Sequence, residues 1–229
     1  MSYQYRSTYD AATLQRPIST PTELCQKGVY RRAFKRIFDV LVVLAVSFPV
    51  VTTVALLALV QFASDRRNPF YSQDRVGRNG TTFRMWKLRT MVCDADDLLE
   101  IHLAQNPKAM AEWQRHQKLT ADPRVTTFGR FLRTTSLDEL PQFWNVLIGD
   151  MSVVGPRPMM TAQRVLYPGT EYYAMRPGIT GLWQISERND TTFHERADYD
   201  QRYFQSISFL TDMKVIFRTV VVVMKATGR

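Results

Sequence analysis

Val40 to Ala63 is a run of 24 positions without an Asp, Glu, Lys or Arg. As a helix it would extend roughly 36 Å at 1.5 Å per residue, enough to cross a hydrocarbon core of about 30 Å. Pro49 lies inside it, with Ser47 close by. Proline removes a backbone donor and clashes with the preceding turn, so a kink or break is expected there. Arg31, Arg32, Lys35 and Arg36 precede the run, and Arg66 and Arg67 follow it. Basic flanks favour the cytoplasmic side, so both ends are expected on one face. A re-entrant helix that enters, bends at Pro49 and returns meets both conditions. A kinked true span and a buried helix of a soluble core are the competing readings.

Elsewhere the pattern is shorter in period. Pro69 to Leu88 reads as a β-hairpin with Asn79-Gly80 as its tight turn; Phe83 and Met85 alternate with Thr82, Arg84 and Trp86. Helices are expected at 94–105, with Asp94 as N-cap, at about 106–119, starting at Asn106-Pro107, and at 127–134, where Phe128, Phe131 and Leu132 share a face. Asp122-Pro123-Arg124 reads as a turn. Ser136 to Ile148 is read as one further helix, with Leu140, Phe143, Trp144 and Leu147 at helical spacing. Gly/Pro-bounded loops follow at 149–158 and 176–181. The apolar-basic stretch Ile207 to Lys225 suits the core, a membrane interface or a contact with a second copy in a homodimer. The fold class expected is α+β, mainly α: a membrane helix plus a helical domain with a small antiparallel sheet. Residues 1–30 are polar and read as a mobile tail, 31–67 as the membrane hairpin, and 68–229 as the remaining domain.

The charge balance is +9, from 30 Lys+Arg against 21 Asp+Glu. That surplus suits an anionic partner. Nucleic acid is not expected, because the basic residues are dispersed and no recognition motif occurs. Cys25, Cys93 and three scattered histidines form no zinc-ligand spacing, so neither a disulfide framework nor structural zinc is expected.

Candidate chemistry centres on the adjacent acids Asp138 and Glu139. Ser136-Leu137-Asp138-Glu139 matches a capping box, which is a purely structural role. The same location, a helix N-terminus, favours an ionised carboxylate that can attack phosphorus or hold a hard cation. Possible phosphate ligands surround the acids in sequence. Arg133 stands five residues before Asp138, and Arg157 is held between prolines in Gly155-Pro156-Arg157-Pro158. Arg176 opens a second glycine loop, Arg176-Pro177-Gly178-Ile179-Thr180-Gly181. Lys87 and Arg89 follow the hairpin. A fixed guanidinium suits phosphate recognition, although a surface arginine in a stiff turn has the same pattern. No P-loop order is present. Asp150 and Asp212 read as caps or ion-pair partners.

Together these motifs resemble the bacterial sugar transferases, the small monotopic phosphoglycosyl transferases. The likeness rests on Ser136-Leu-Asp-Glu-Leu-Pro-Gln142, Gly149-Asp-Met-Ser-Val-Val-Gly-Pro-Arg-Pro158 and Arg176-Pro-Gly-Ile-Thr-Gly181. Lys35-Arg36-Ile37-Phe38-Asp39 and Lys87-Leu-Arg-Thr-Met91 also fit, so it covers about residues 31 to 225. It is nearest to exopolysaccharide-type members that use UDP-galactose or UDP-glucose.

The resemblance implies a re-entrant membrane helix, broken here at Ser47 and Pro49, on the cytoplasmic face of the bacterial inner membrane. It implies a ping-pong reaction with Mg2+ held at Asp138 and Glu139. Asp138 would attack the UDP-sugar, Glu139 would assist, and undecaprenyl phosphate would accept the sugar phosphate. Arg133 and Arg157 match the family's phosphate-binding positions. Glu187 and Ile207 depart from the usual pattern, which bears on sugar or membrane contacts. From residues alone, a membrane-anchored hydrolase of nucleotide sugars and a non-catalytic assembly subunit stay open.

Overall fold

A computed structural model describes residues 29–116, 119–186 and 193–224. Nearly all of the expected tail, together with Cys25, Glu187 and Lys225, lies outside them. A π-helical turn, Tyr30–Phe34, leads into α1, Lys35–Asp65. The hairpin β1, Phe70–Val76, and β2, Thr82–Leu88, follows. Then come α2, Ala95–Gln105, α3, Pro107–His116, and α4, Thr127–Thr134. After a 3-10 turn at Leu137–Glu139 come α5, Gln142–Ile148, β3, Ser152–Val154, and β4, Met159–Met160. Two 3-10 turns lead to β5, Gly178–Thr180, and then α6, Phe193–Ser206, and α7, Phe209–Met224. The fold is α+β and mainly α, as the sequence pattern predicts.

α1 runs through Pro49 as one helix, where the sequence predicts a kink or a break. Proline removes one donor, but the apolar turns on either side keep theirs paired. Ser47 Oγ donates to the Leu44 carbonyl at 2.7 Å. The helix ends at Arg66, whose left-handed backbone (φ 56°) directs its N–H to the Phe62 carbonyl.

Both ends of α1 are fastened to the same globular body. Near its start, Lys35 donates to Ser152 Oγ, 2.7 Å, and Asp39 accepts from Ser152 Oγ at 2.8 Å and from the Val153 N–H at 3.1 Å. Near its end, Gln61 donates to the Arg89 carbonyl and Asp65 pairs with Arg89 at 2.7 Å. Ala58 packs with Leu88 and Leu132. Between these anchorages the outward face is bare: Phe48 is 83% exposed, and Leu44, Val51, Leu56 and Leu59 are exposed too. The inward face at mid-helix covers an apolar cavity of about 460 Å³ lined by Val43, Val50, Val54, Trp86, Leu140 and Trp144.

The hairpin alternation is borne out, with Phe83 and Met85 buried. Its turn is longer than Asn-Gly predicts. The last pair is Val76–Thr82, so five residues connect the strands, with Asn79 and Gly80 both left-handed. β4 adds to β1, giving the order β2-β1-β4, all antiparallel. A second pair, β3 with β5, is parallel, which the sequence pattern does not signal. This pair packs the two glycine loops together. A Cβ on Gly178 would collide with the Gly155 backbone nitrogen, so only glycine allows that approach. The main core gathers Val43, Phe83, Met85, Val146, Met151 and Val154 with Tyr203, Phe204 and Val215. Asp212 is the ion-pair partner expected: it is buried, 3.0 Å from Lys35.

Candidate active site

The segment predicted as one helix over 136–148 is two elements. Ser136 is left-handed (φ 57°) and its side chain caps nothing, so the capping box does not form. Pro141, without an N–H, cannot continue the hydrogen-bonded turn and instead sits at the N-cap of α5. The result is a tight turn that turns Asp138 inward, 7% exposed, with Glu139 half-buried beside it.

The turn is fixed from behind. Asn145 on α5 is fully buried. Its amide accepts from the Trp86 N–H at 3.0 Å and donates to the Arg84 carbonyl at 2.7 Å, locking α5 to β2. That registers Lys87 against the acids: its Nζ is 2.8 Å from Glu139 Oε1 and 3.4 Å from Asp138 Oδ2. Arg133, at the end of α4, donates to Thr90 Oγ1 at 2.9 Å and lies close enough to favour the Asp138 carboxylate. α4 is held by the Thr126 side chain, which accepts from the Gly129 N–H at 2.8 Å, and by the buried Leu132.

Burial raises the Asp138 pKa above the ordinary carboxylate value; Lys87 opposes this, and Glu139 adds to it. Asp138 lies in a single 3-10 turn rather than at the start of a long α-helix, and desolvation outweighs the cations there. A carboxylate poised against its own burial is a better nucleophile than a solvated one.

The other predicted residues are placed elsewhere. Arg89 pairs with Asp65 at the end of α1 and donates to the Asn68 carbonyl. Arg157 lies over the Trp183 ring, 5.6 Å from its centroid, and its carbonyl accepts from Arg196. Arg75, beneath it, is pushed down to about 10 by burial and by Arg157. Arg75 stands opposite Phe83 and Tyr71 opposite Lys87, so this basic group sits about 13 Å along the hairpin from Lys87. Arg176 donates to the Gly149 carbonyl at 2.8 Å, beside Arg36, which donates to the carbonyls of Val146 and Leu147. Both arginines thus cap the C-terminal end of α5. Asp150 Oδ2 accepts from Asn145 at 3.3 Å. Sequence reasoning missed Asn145, Thr90, Arg75 and Arg196. An asparagine in the apolar pattern of α5 was the one available signal.

The residues present fit a magnesium ion. Asp138 and Glu139 already converge on one cation, the Lys87 ammonium. Magnesium takes one or two carboxylates and completes its shell with substrate phosphate oxygens and water. Among the described residues no set of three or more His, Cys, Asp or Glu comes together, so diphosphate oxygens would have to complete such a site.

Residues 30–226 match the model of the bacterial sugar transferases; the chain belongs to that family. It is 44% identical over 200 residues to a UDP-galactose-lipid carrier transferase of Erwinia amylovora, covering 86% of this chain and 42% of that protein. It is 44% identical over 199 residues to the exopolysaccharide production protein ExoY of Rhizobium meliloti, covering 85% of this chain and 87% of that one. It is 40% identical over 200 residues to the undecaprenyl-phosphate galactose phosphotransferase of Salmonella typhimurium, covering 86% of this chain and 42% of that protein. The chain therefore spans less than half of two of these relatives and most of the third.

Proposed function

We propose that this chain transfers a hexose-1-phosphate from a UDP-sugar, UDP-galactose or UDP-glucose, to undecaprenyl phosphate, as the first membrane step of exopolysaccharide synthesis. The observation that carries this reading is the continuity between the acids and the apolar cavity. Asp138 and Glu139 sit on Lys87, and the next two residues, Leu140 and Pro141, line the cavity under α1. A phosphate on a long apolar tail fits that junction; a water-soluble acceptor makes no use of it.

In the first half-reaction the Asp138 carboxylate attacks the β-phosphorus of the donor. The bond to the oxygen bridging the two phosphates breaks, UMP departs with that electron pair, and an aspartyl phosphosugar remains. In the second, an oxygen of undecaprenyl phosphate attacks the same phosphorus and returns Asp138 as a carboxylate. Lys87 and Arg133 hold phosphate oxygens and oppose the charge crowded at the site. Glu139, with Asp138 beside it, would hold Mg2+, which neutralises the diphosphate and the departing UMP when bound. Arg157 would take a more distant part of the donor.

Membrane seating follows from α1. The helix is long and apolar enough to cross a membrane, yet both of its ends are tied to one body. A re-entrant course with both basic flanks on the cytoplasmic face of the inner membrane satisfies those contacts, and α7 would lie in the interface. Tags at residue 5 and after Arg67 are expected on the same face; opposite faces would refute this course. Membranes given sugar-labelled UDP-sugar and undecaprenyl phosphate should yield label in the organic phase and free UMP. Free sugar phosphate alone would identify a hydrolase instead.

A further inference from the structure

A second cavity, of about 120 Å³ and lined by charged residues, opens at the root of α1 and shares no residue with the Lys87–Asp138–Glu139 centre. Three separate stretches of chain bring six cations to it: Arg31, Arg32, Lys35, Arg36, Arg78 and Arg176. Asp39 is the one acid on its wall. Lys35 is matched by Asp39 and Asp212. None of the five arginines forms an ion pair among the described residues.

Arg36 and Arg176 are partly used in capping α5. Arg31 and Arg78 are not. Arg31 lies over the Phe204 ring, 3.6 Å from its centroid, and donates to the Phe204 carbonyl, but its Nη2 is buried without a partner. Arg78 Nε is likewise buried and unpartnered. Burial, and then Arg176, holds the Arg78 guanidinium below its usual pKa. Gathered guanidiniums with open donors in a concave site are a receptor for an oxyanion.

The surroundings choose among oxyanions. Phe34, Ile37 and Leu41 of the same helix turns are exposed, as are Phe209 and Leu210 at the start of α7. The two groups are joined where Phe38 meets Phe209, 5.4 Å between ring centroids. Ile207 lines the cavity and stands two residues before Phe209, so the basic cavity leads onto this exposed apolar surface at the start of α7. A free phosphate uses only the first; a phospholipid uses both.

We propose that this cavity binds the phosphodiester head group of an anionic phospholipid, one molecule per chain, with its acyl chains along the exposed residues of α1 and α7. This rests on the membrane seating of α1 proposed above. It adds to that seating a defined lipid site, apart from the reaction centre, that selects head-group charge.

The test uses the full chain in neutral detergent, mixed with phosphatidylglycerol and phosphatidylcholine, with bound lipid counted by native mass spectrometry. One phosphatidylglycerol is expected to be retained. Arg31→Gln with Arg78→Gln should weaken its retention roughly 25-fold, at about fivefold per cation. Arg31→Lys with Arg78→Lys should keep most of it, and millimolar inorganic phosphate should not displace it. Equal retention of the two lipids by the unaltered chain would overturn the proposal, as would undiminished retention by the glutamine variant. Displacement by inorganic phosphate would make the cavity a free-phosphate site and overturn the lipid assignment. Sedimentation with pure phosphatidylcholine vesicles reports the seating of α1 separately. A chain that sediments but does not select phosphatidylglycerol fails here alone; one that does not sediment fails the membrane reading.

Discussion

The ammonium of Lys87 lies 2.8 Å from the Glu139 carboxylate, across 52 residues of chain. It joins the end of β2 to the turn that precedes α5 and holds two adjacent acids at one point. Lys87→Met removes that cation and one proposed phosphate ligand. UMP release is expected to fall by about 10²–10³, the usual effect of removing one charge-stabilising donor, while the circular dichroism spectrum is kept. An unchanged rate would take Lys87 out of the site.

Asp138 has a raised pKa because it is buried. A folded-state value above the unfolded one adds stability below the ordinary carboxylate pKa, and that gain is lost as pH rises through the raised value. At neutral pH the ionised group is therefore a local liability. Asp138→Asn should melt no lower than the unaltered chain while losing turnover, the pattern of an acid retained for chemistry. The acid limb of the pH–rate profile should lie above 3.8, the ordinary value for this group. A limb at or below that value would contradict the role of burial.

Asp200 gives a second test of the same sign, away from the chemistry. It is raised from 3.8 to about 6 by burial, against the opposing pull of Arg196 and of the Tyr167 hydroxyl, 2.9 Å away. Its contribution to stability is present below pH 4 and lost as pH rises through 6. Asp200→Asn should gain on the unaltered chain between pH 4.5 and pH 7.5, read from denaturant midpoints. An unchanged difference would mean that Asp200 titrates alike in both states.

Asn145 carries the registration of α5 on β2. Replacing it with alanine leaves the Trp86 N–H and the Arg84 carbonyl without their partner. Such a loss in a fully buried position should cost about 2–4 kcal/mol. Urea unfolding measures it, and a loss below about 0.5 kcal/mol would mean that water or a shift of α5 replaces the amide.

Much of this was legible in the sequence where one physical signal dominated. The uncharged length of 40–63, the alternation at Phe83 and Met85, and the short helix at 127–134 with Leu132 on its inner face each correspond to an observed element. The misreadings occurred where signals competed. Ser136 to Glu139 has a capping pattern, but Pro141 denies the turn its hydrogen bond, and the backbone tightens into a 3-10 turn that buries Asp138. The apolar stripe Leu140, Phe143, Trp144 and Leu147 marks the side of α5 that lines the cavity under α1. Its core side carries Gln142, Asn145 and Val146. Arg133, Arg157 and Arg176 look alike in the sequence as candidate phosphate ligands, the first by its spacing from Asp138 and the other two by their Gly/Pro loops. Only tertiary packing sends the first towards the acids, the second to Trp183 and the third to the end of α5. The convergence of Arg31, Arg78 and Arg176 spans 145 positions and has no local signal.

The most direct measurement supplies a UDP-sugar labelled at its β-phosphate to the purified chain with Mg2+ and no lipid acceptor. The expected result is label on the protein in proportion to released UMP, carried into the organic phase on adding undecaprenyl phosphate and absent in Asp138→Asn. Transfer to lipid that persists in Asp138→Asn, or that proceeds with no labelled protein, would contradict the aspartyl route.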